Sequence, residues 1–488
     1  MKNLTLYTIG SLLCFASCSK WLDKEPIGIL TQEQVQVDPT EGTVVTGIDN
    51  AYRPLSYTLN LFGEWDWTGG LVIRPDFLLE DIAAGDATKK WTPDGDQAWM
   101  DDVANYNFTA ENGAFAGIWK FNYEGISRCN MAIFQLTDPE TVAKINMAEA
   151  KRTQLLAEAS FLRAFFYFDL VKYFGDVPMV LQPLRDFNEA YEVAVKTPKA
   201  AVYEQIKADL QEAINGFPNA KYTNQSERWR ASKGAAIALL AKVALFEGNW
   251  KEVVTQINTL DQLGFYDLNT NYFDAFDDTK TYIEKENIFI YDHEPGMQPI
   301  RGNGFTALMG WGFMAPSTNF LAAFESGDPR RTYTVNTNDQ AIYKLLGAQN
   351  ANYKGNDNSP VNRIYIRYAD VVLWRAEALI KDNQVSAGVA LINKVRERAR
   401  AGNNSVLPDR NTSITDANLA MQWLQHERRV ELGLESHRLS DLRRWNIAET
   451  TLIAMGKPFL KRHMLYPIPQ TEVDKTVGKI AQNDGYNN

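Results

Sequence analysis

Twice along this chain a helix lined with small residues runs into a tight turn and then a second, amphipathic helix. One copy spans Ser232 to Leu260 and turns through Ala244-Leu245-Phe246-Glu247-Gly248-Asn249; the other spans Ala369 to Arg398 and turns through Ala378-Leu379-Ile380-Lys381-Asp382-Asn383. Ala235, Ala238, Ala241 and Ala244 let a neighbouring helix approach closely, and Trp250 follows the turn to plug the seam. Such a unit cannot bury its apolar face alone, so its repetition predicts stacked helix pairs of the tetratricopeptide kind. Further helices are predicted over 112–136, 198–215 and 415–445. The longest runs from Ala148 to Phe174, where Leu155, Leu156, Ala159, Leu162, Ala164, Phe166, Leu170 and Phe174 recur at near-helical spacing until Gly175 and Pro178 stop it. The expected fold class is mainly all-α, a superhelical body of helix pairs forming one domain over 41–488.

Two long segments refuse this pattern. Residues 61–108 and 265–362 are rich in Gly, Pro, Asn, Asp and aromatic residues and carry too many breakers for sustained helix. Excursions this long are uncommon in compact proteins unless they bind something. In the first, Trp65 and Trp67 flank Asp66 ahead of Gly69-Gly70, and Trp91 and Trp99 bracket a polar stretch with Asp94, Asp96 and Gln97. The second presents Trp311 and Phe313 within Met309-Gly310-Trp311-Gly312-Phe313, where glycines let the backbone turn. Sugars offer CH faces and hydroxyl edges, so a sugar site needs rings to stack on and amide, carboxylate or guanidinium groups to hydrogen-bond. These six rings are the candidate ligand-binding residues, with Arg74, Asp81 and Asp102 as polar partners. The competing reading is that the rings pin long loops to the body.

The start of the chain is an address. Met1-Lys2-Asn3, the apolar run from Leu4 to Ala16 and the close at Phe15-Ala16-Ser17-Cys18 form an export signal, too short in its apolar part to span a membrane as a stable helix. Residues 1–17 are read as a lipoprotein signal peptide, Cys18 as the acylated first mature residue, and 18–40 as a polar tether with Pro26 and Pro39. Stable anchoring takes more than one acyl chain, each buried methylene adding about 0.8 kcal/mol. With Cys14 lost and Cys18 acylated, Cys129 has no partner for a disulfide and is read as a core residue.

Charge and motif patterns narrow the function further. A net charge of −10 without a basic run argues against nucleic acid. His426-Glu427 starts like a zinc-protease helix, but Val430 stands where the second His belongs, and His293, His426, His437 and His463 lack ligand spacing. Asp274, Asp277 and Asp278 are read as a solvated acidic turn rather than a calcium site. No Gly-x-Ser-x-Gly elbow or phosphate loop occurs. The charged set Glu427, Arg428, Arg429, Glu431, Glu435, Arg438, Asp441, Arg443 and Arg444 is read as interhelical ion pairing rather than an acid/base array. The expectation is a protein without metal, cofactor or catalytic activity; a lipid-anchored glycoside hydrolase and a scaffold binding proteins or peptides are the alternatives.

One family shares these residues in order. Cys18-Ser19-Lys20-Trp21-Leu22-Asp23, Glu158-Ala159-Ser160-Phe161-Leu162-Arg163-Ala164, Phe174-Gly175-Asp176-Val177-Pro178, Ser232-Lys233-Gly234-Ala235-Ala236, Asp328-Pro329-Arg330, Ile366-Arg367-Tyr368-Ala369-Asp370-Val371, Glu427-Arg428-Arg429-Val430-Glu431-Leu432, His437 through Trp445, Tyr466-Pro467-Ile468-Pro469-Gln470 and Gln482-Asn483-Asp484-Gly485-Tyr486 together resemble the SusD/RagB-like outer-membrane lipoproteins. The resemblance implies a tetratricopeptide-like α-helical body with a loop-built glycan site, docked as a lid on a SusC-like TonB-dependent outer-membrane transporter. It also implies that the regions of Trp65, Trp67, Trp91, Trp99 and Trp311 supply an aromatic arc, and that the lipid-anchored protein faces the cell exterior. Phe15 before the cleavage site and the missing acidic run after Cys18 depart from the family pattern.

Overall fold

The computed structural model describes residues 39–486 apart from 64, 91–94, 223–226, 228 and 296–301; the signal peptide, Cys18, most of the tether and Trp91 lie outside the described residues. Among those described, nine helices reach twelve residues: α1 (Glu41–Tyr52), α2 (Gly113–Thr137), α3 (Glu149–Phe174), α4 (Lys199–Gly216), α5 (Lys233–Glu247), α6 (Trp250–Gln262), α7 (Tyr368–Lys381), α8 (Val385–Arg400) and α9 (Ala417–Leu432). The body is mainly helical. Among the described residues the strands are short and pair only in twos, forming no layer.

The repeated units fold as paired helices, each closed by its own local chemistry. Ser232 accepts the Ala235 N–H to start α5, Gly248 ends it at φ 73°, where a residue without Cβ meets no steric cost, and Asn249 accepts from Glu252 to start α6. Ala235, Ala238, Ala241 and Ala244 of α5 are buried and Trp250 packs half-buried beside the core. In the second pair Asn383 takes the left-handed turn, and Gly388 of α8 lies so close to α7 that a Cβ would stand 2.5 Å from Ile380.

Helix α3 is the hub, buried nearly all round between α2 and α4. Its Arg163 reaches Asp209 of α4 at 2.7 and 2.8 Å and Asn130 of α2 at 3.0 Å, so one forked guanidinium ties three helices. Cys129 is fully buried on α2, and burial pushes its thiol well above the ordinary value, as suits a core residue.

The helical stretch expected over 415–445 is broken. After Leu432 the chain passes Gly433 and left-handed Leu434 and Ser436 before a new helix at Arg438–Arg444. Glu435 turns inward there to receive Arg367 at 2.7 Å and Lys344 at 2.6 Å, partners invisible in local periodicity. The charged set pairs across elements as expected, although the forks come from further away than the neighbouring turns. Glu427 takes Arg330 and Arg396, Glu431 takes Arg330, Arg367 and Arg398, and Arg428 donates to Asp370 and Asp441.

Candidate functional site

The first excursion leaves the body at a turn made by Asp66. Its carboxylate accepts the Gly69 N–H at 2.6 Å and its carbonyl accepts from Leu71 at 3.0 Å, which fixes Trp65 and Trp67 on either side. The turn is pressed onto the start of α2. A Cβ on Gly70, itself at φ 71°, would lie 1.8 Å from the Gly113 carbonyl oxygen, and one on Gly117 would lie 2.2 Å from that of Gly70. Three glycines thus allow backbone-to-backbone contact between loop and helix.

In the second excursion a short helix, Phe305–Trp311, ends at Gly312 with φ 88°, and the chain doubles back through Phe313. The returning segment pairs antiparallel with the first excursion, Ala87 opposite Pro316 and Thr88 opposite Ala315. Lys90 N–H donates to the Gly312 carbonyl at 2.7 Å, and Ser317 donates to Gly85 and Asp86 carbonyls. Both breaker-rich segments are therefore stitched into one surface.

That stitching brings four of the predicted rings together. Trp67 lies 5.3 Å from Phe313, 6.1 Å from Trp311 and 6.4 Å from Trp65, and Trp311 meets Phe313 edge-on at 6.5 Å. Phe313 is buried at the base and Trp67 is half-buried, while Trp65 and Trp311 remain 57% and 41% exposed. The cluster offers apolar ring surface to solvent beside loops rich in hydrogen-bonding groups.

The other candidates stand elsewhere. Trp99 is half-buried and donates its indole N–H to Gln97 at 2.8 Å, and among the described residues it makes no ring contact with the cluster. Asp102 is half-buried on the short helix Ala98–Ala104. Arg74 and Asp81 are not free to meet a ligand. Arg74 is 1% exposed and donates to Asp169 of α3 at 2.5 Å and Asn122 of α2 at 2.9 Å; Asp81, also buried, accepts from the Ser436 N–H at 3.0 Å. Burial and the nearby Asp86 and Glu80 raise the Asp81 carboxyl well above the usual carboxylate range. Both residues bind the excursion to the body. At the acidic turn, Lys280 reaches Asp274 at 2.6 Å and Thr279 donates to Asp277 at 2.6 Å. Among the described residues no cluster of His, Cys, Asp and Glu could hold a metal ion. Sequence reasoning missed Gly113 and Gly117, whose four-residue spacing on a helix signals close backbone approach.

The family model described as "SusD family" matches residues 314–462, and that described as "Starch-binding associating with outer membrane" matches residues 81–245. A SusD-like protein of Formosa agariphila is 28% identical over 100% of both chains. Among solved structures, a laminarin binding SusD-like protein is similar at 25% identity with TM-score 0.72, covering 92% of this chain and 100% of its own. The surface glycan-binding protein A from Bacteroides fluxus shares the fold with TM-score 0.75 at 24% identity, over 92% and 100% of the two chains.

Proposed function

Because the chain belongs to the SusD/RagB-like family, we propose that it is a non-catalytic glycan-binding lipoprotein, held at the outer membrane by acyl chains on Cys18, that captures an oligosaccharide and delivers it to a SusC-like TonB-dependent transporter. One observation carries the binding reading: Trp65 and Trp311, from segments joined only by the fold, stand exposed around half-buried Trp67 over buried Phe313. Exposed rings at that density mark a surface that something covers, and a pyranose CH face is a cover of matching size and polarity. A structural relative that binds laminarin and a matching family described as starch-binding support a glucan as the first ligand to try. The description "associating with outer membrane" supports the address.

Calorimetry of the chain without residues 1–18, against neutral oligosaccharides headed by laminari- and malto-oligosaccharides, tests the reading. At least one should bind, and Trp67→Ala and Trp311→Ala should each weaken it tenfold or more, about 1.4 kcal/mol. Full binding by both variants would reject the platform; loss of a protein complex instead would favour the scaffold alternative. Release of new reducing ends would identify a glycoside hydrolase and overturn the non-catalytic reading. Delivery predicts that a large barrel co-purifies from membranes in mild detergent, and its repeated absence would reject that step.

A further inference from the structure

The Asp66 turn has a second side. There Asp66, Gly69 and Leu71 open onto a groove of about 520 Å³ that follows α2 from Ala116 to Asn130, about 21 Å of helix at 1.5 Å per residue. Trp119 and Tyr123, with ring centroids 4.8 Å apart, line it, and Tyr123 is held by its hydroxyl bond to the Pro178 carbonyl. Aliphatic groups such as Leu71, Ile126 and Val180 line it too, together with hydrogen-bonding side chains, among them Glu124, Gln182 and Glu472. Of its carboxylates, Glu124 is neutralised by Arg128 at 2.8 Å and Glu472 by Lys475 at 2.9 Å, while Asp66 is held by the Gly69 N–H at 2.6 Å. Rings and aliphatic groups mixed with hydrogen-bonding side chains and paired carboxylates suit an uncharged amphiphilic chain better than an anion, a cation or a lipid tail.

We propose that this groove is a second binding stretch for the same glycan, so that the ligand is a linear chain long enough to pass over the Trp65–Gly70 turn. The proposal rests on the platform reading above. Continuity identifies the occupant: one turn gives Trp65 and Trp67 to the aromatic cluster and Asp66 and Gly69 to the groove. The clamp of Gly70 against Gly113 and Gly117 holds the two surfaces in fixed relation. A chain that engages both binds the second intramolecularly, so affinity rises with length.

The test compares trisaccharides with octasaccharides of α-1,4-glucan, β-1,3-glucan, β-1,4-xylan and β-1,4-mannan by calorimetry. Groove-filling substitutions are Ala190→Trp, on the short helix Phe187–Val193 that buries none of its side chains, and Ser127→Trp at a half-buried lining position. Exposed Gln182→Ala is the third variant, since it removes a hydrogen-bonding lining group without threatening the fold. The octasaccharide that binds should do so at least tenfold more tightly than its trisaccharide. The Trp variants should bring the two together with trisaccharide affinity kept, and Gln182→Ala should weaken the octasaccharide alone several-fold. Equal affinity for both lengths, or octasaccharide binding indifferent to all three variants, overturns the proposal and leaves the platform standing. No binding by any member of the panel rejects the platform and the groove together. Self-association lost in Ala190→Trp, with glycan binding unchanged, would instead assign the groove to a second copy of the chain.

Discussion

Gly117→Ala isolates the clamp between loop and helix. Alanine in a helix interior normally stabilises by about 1 kcal/mol over glycine. At Gly117 the new Cβ would stand 2.2 Å from the Gly70 carbonyl oxygen, against the 3.4 Å at which ordinary contact begins, so the turn must retreat by about 1.2 Å. Overpacking of that kind costs about 1–3 kcal/mol and reverses the helix gain. The net expectation is destabilisation by about 0–2 kcal/mol, with Trp65 and Trp67 carried away from Trp311 and Phe313. A displacement of this size should weaken glycan binding by about tenfold or more. Gly42→Ala is the control, because its Cβ would meet only Thr40 Oγ1 at 3.8 Å and should simply stabilise α1. Urea unfolding and calorimetry on both variants read the two effects. A Gly117→Ala protein more stable than the parent and unchanged in binding would refute the clamp.

Three further outcomes follow from the same geometry. Arg74→Ala removes one of the two cations on buried Asp169, leaving Lys172 at 2.7 Å, and should cost about 1–3 kcal/mol in urea unfolding; a cost near zero would remove Arg74 as the bolt between excursion and body. Burial works to raise the Glu431 carboxyl, yet Arg398, Arg367 and Arg330 hold it well below the usual carboxylate range. With its folded value depressed, its stabilisation is complete above the unfolded value of about 4.3 and fades as pH falls below it, so the urea midpoint should drop from pH 6 to 3, and less steeply in Glu431→Gln; parallel profiles would contradict this. Val477 is a β-branched residue at φ 53° with 85% of its surface exposed, so Val477→Asn relieves strain without losing packing. A gain of about 1 kcal/mol is expected in thermal or urea unfolding, and a loss would show that the side chain is held by contacts.

The repeats were legible because alanine stripes and the Gly248-Asn249 turn are local signals; helix α2 falls within a residue of its expected span. The break at Gly433–Ser436 was not, because it is decided by Arg367 and Lys344 from distant segments. Composition marked Trp65, Trp67, Trp311 and Phe313 as unusual, but their meeting depends on the Ala87–Pro316 pairing and the glycine clamp. Arg74 and Asp81 show the limit of residue type: a guanidinium or carboxylate suits a sugar hydroxyl or a buried side chain equally, and only burial separates them.

The pairing of Ala87 with Pro316 also sets an order of events. It closes a loop of roughly 230 residues, an entropic cost that local helix pairs never face and that is recovered only once both strands are present. Helices α2 to α6 lie wholly inside that loop and can pack as soon as they emerge, while the ring cluster must wait for the polypeptide beyond Phe313. A chain cut short, or one whose second excursion is misthreaded, would keep much of its helical signal in circular dichroism and lack the assembled four-ring cluster. Competence at this surface is thus a late and all-or-none property, a built-in proof that the molecule has been completed.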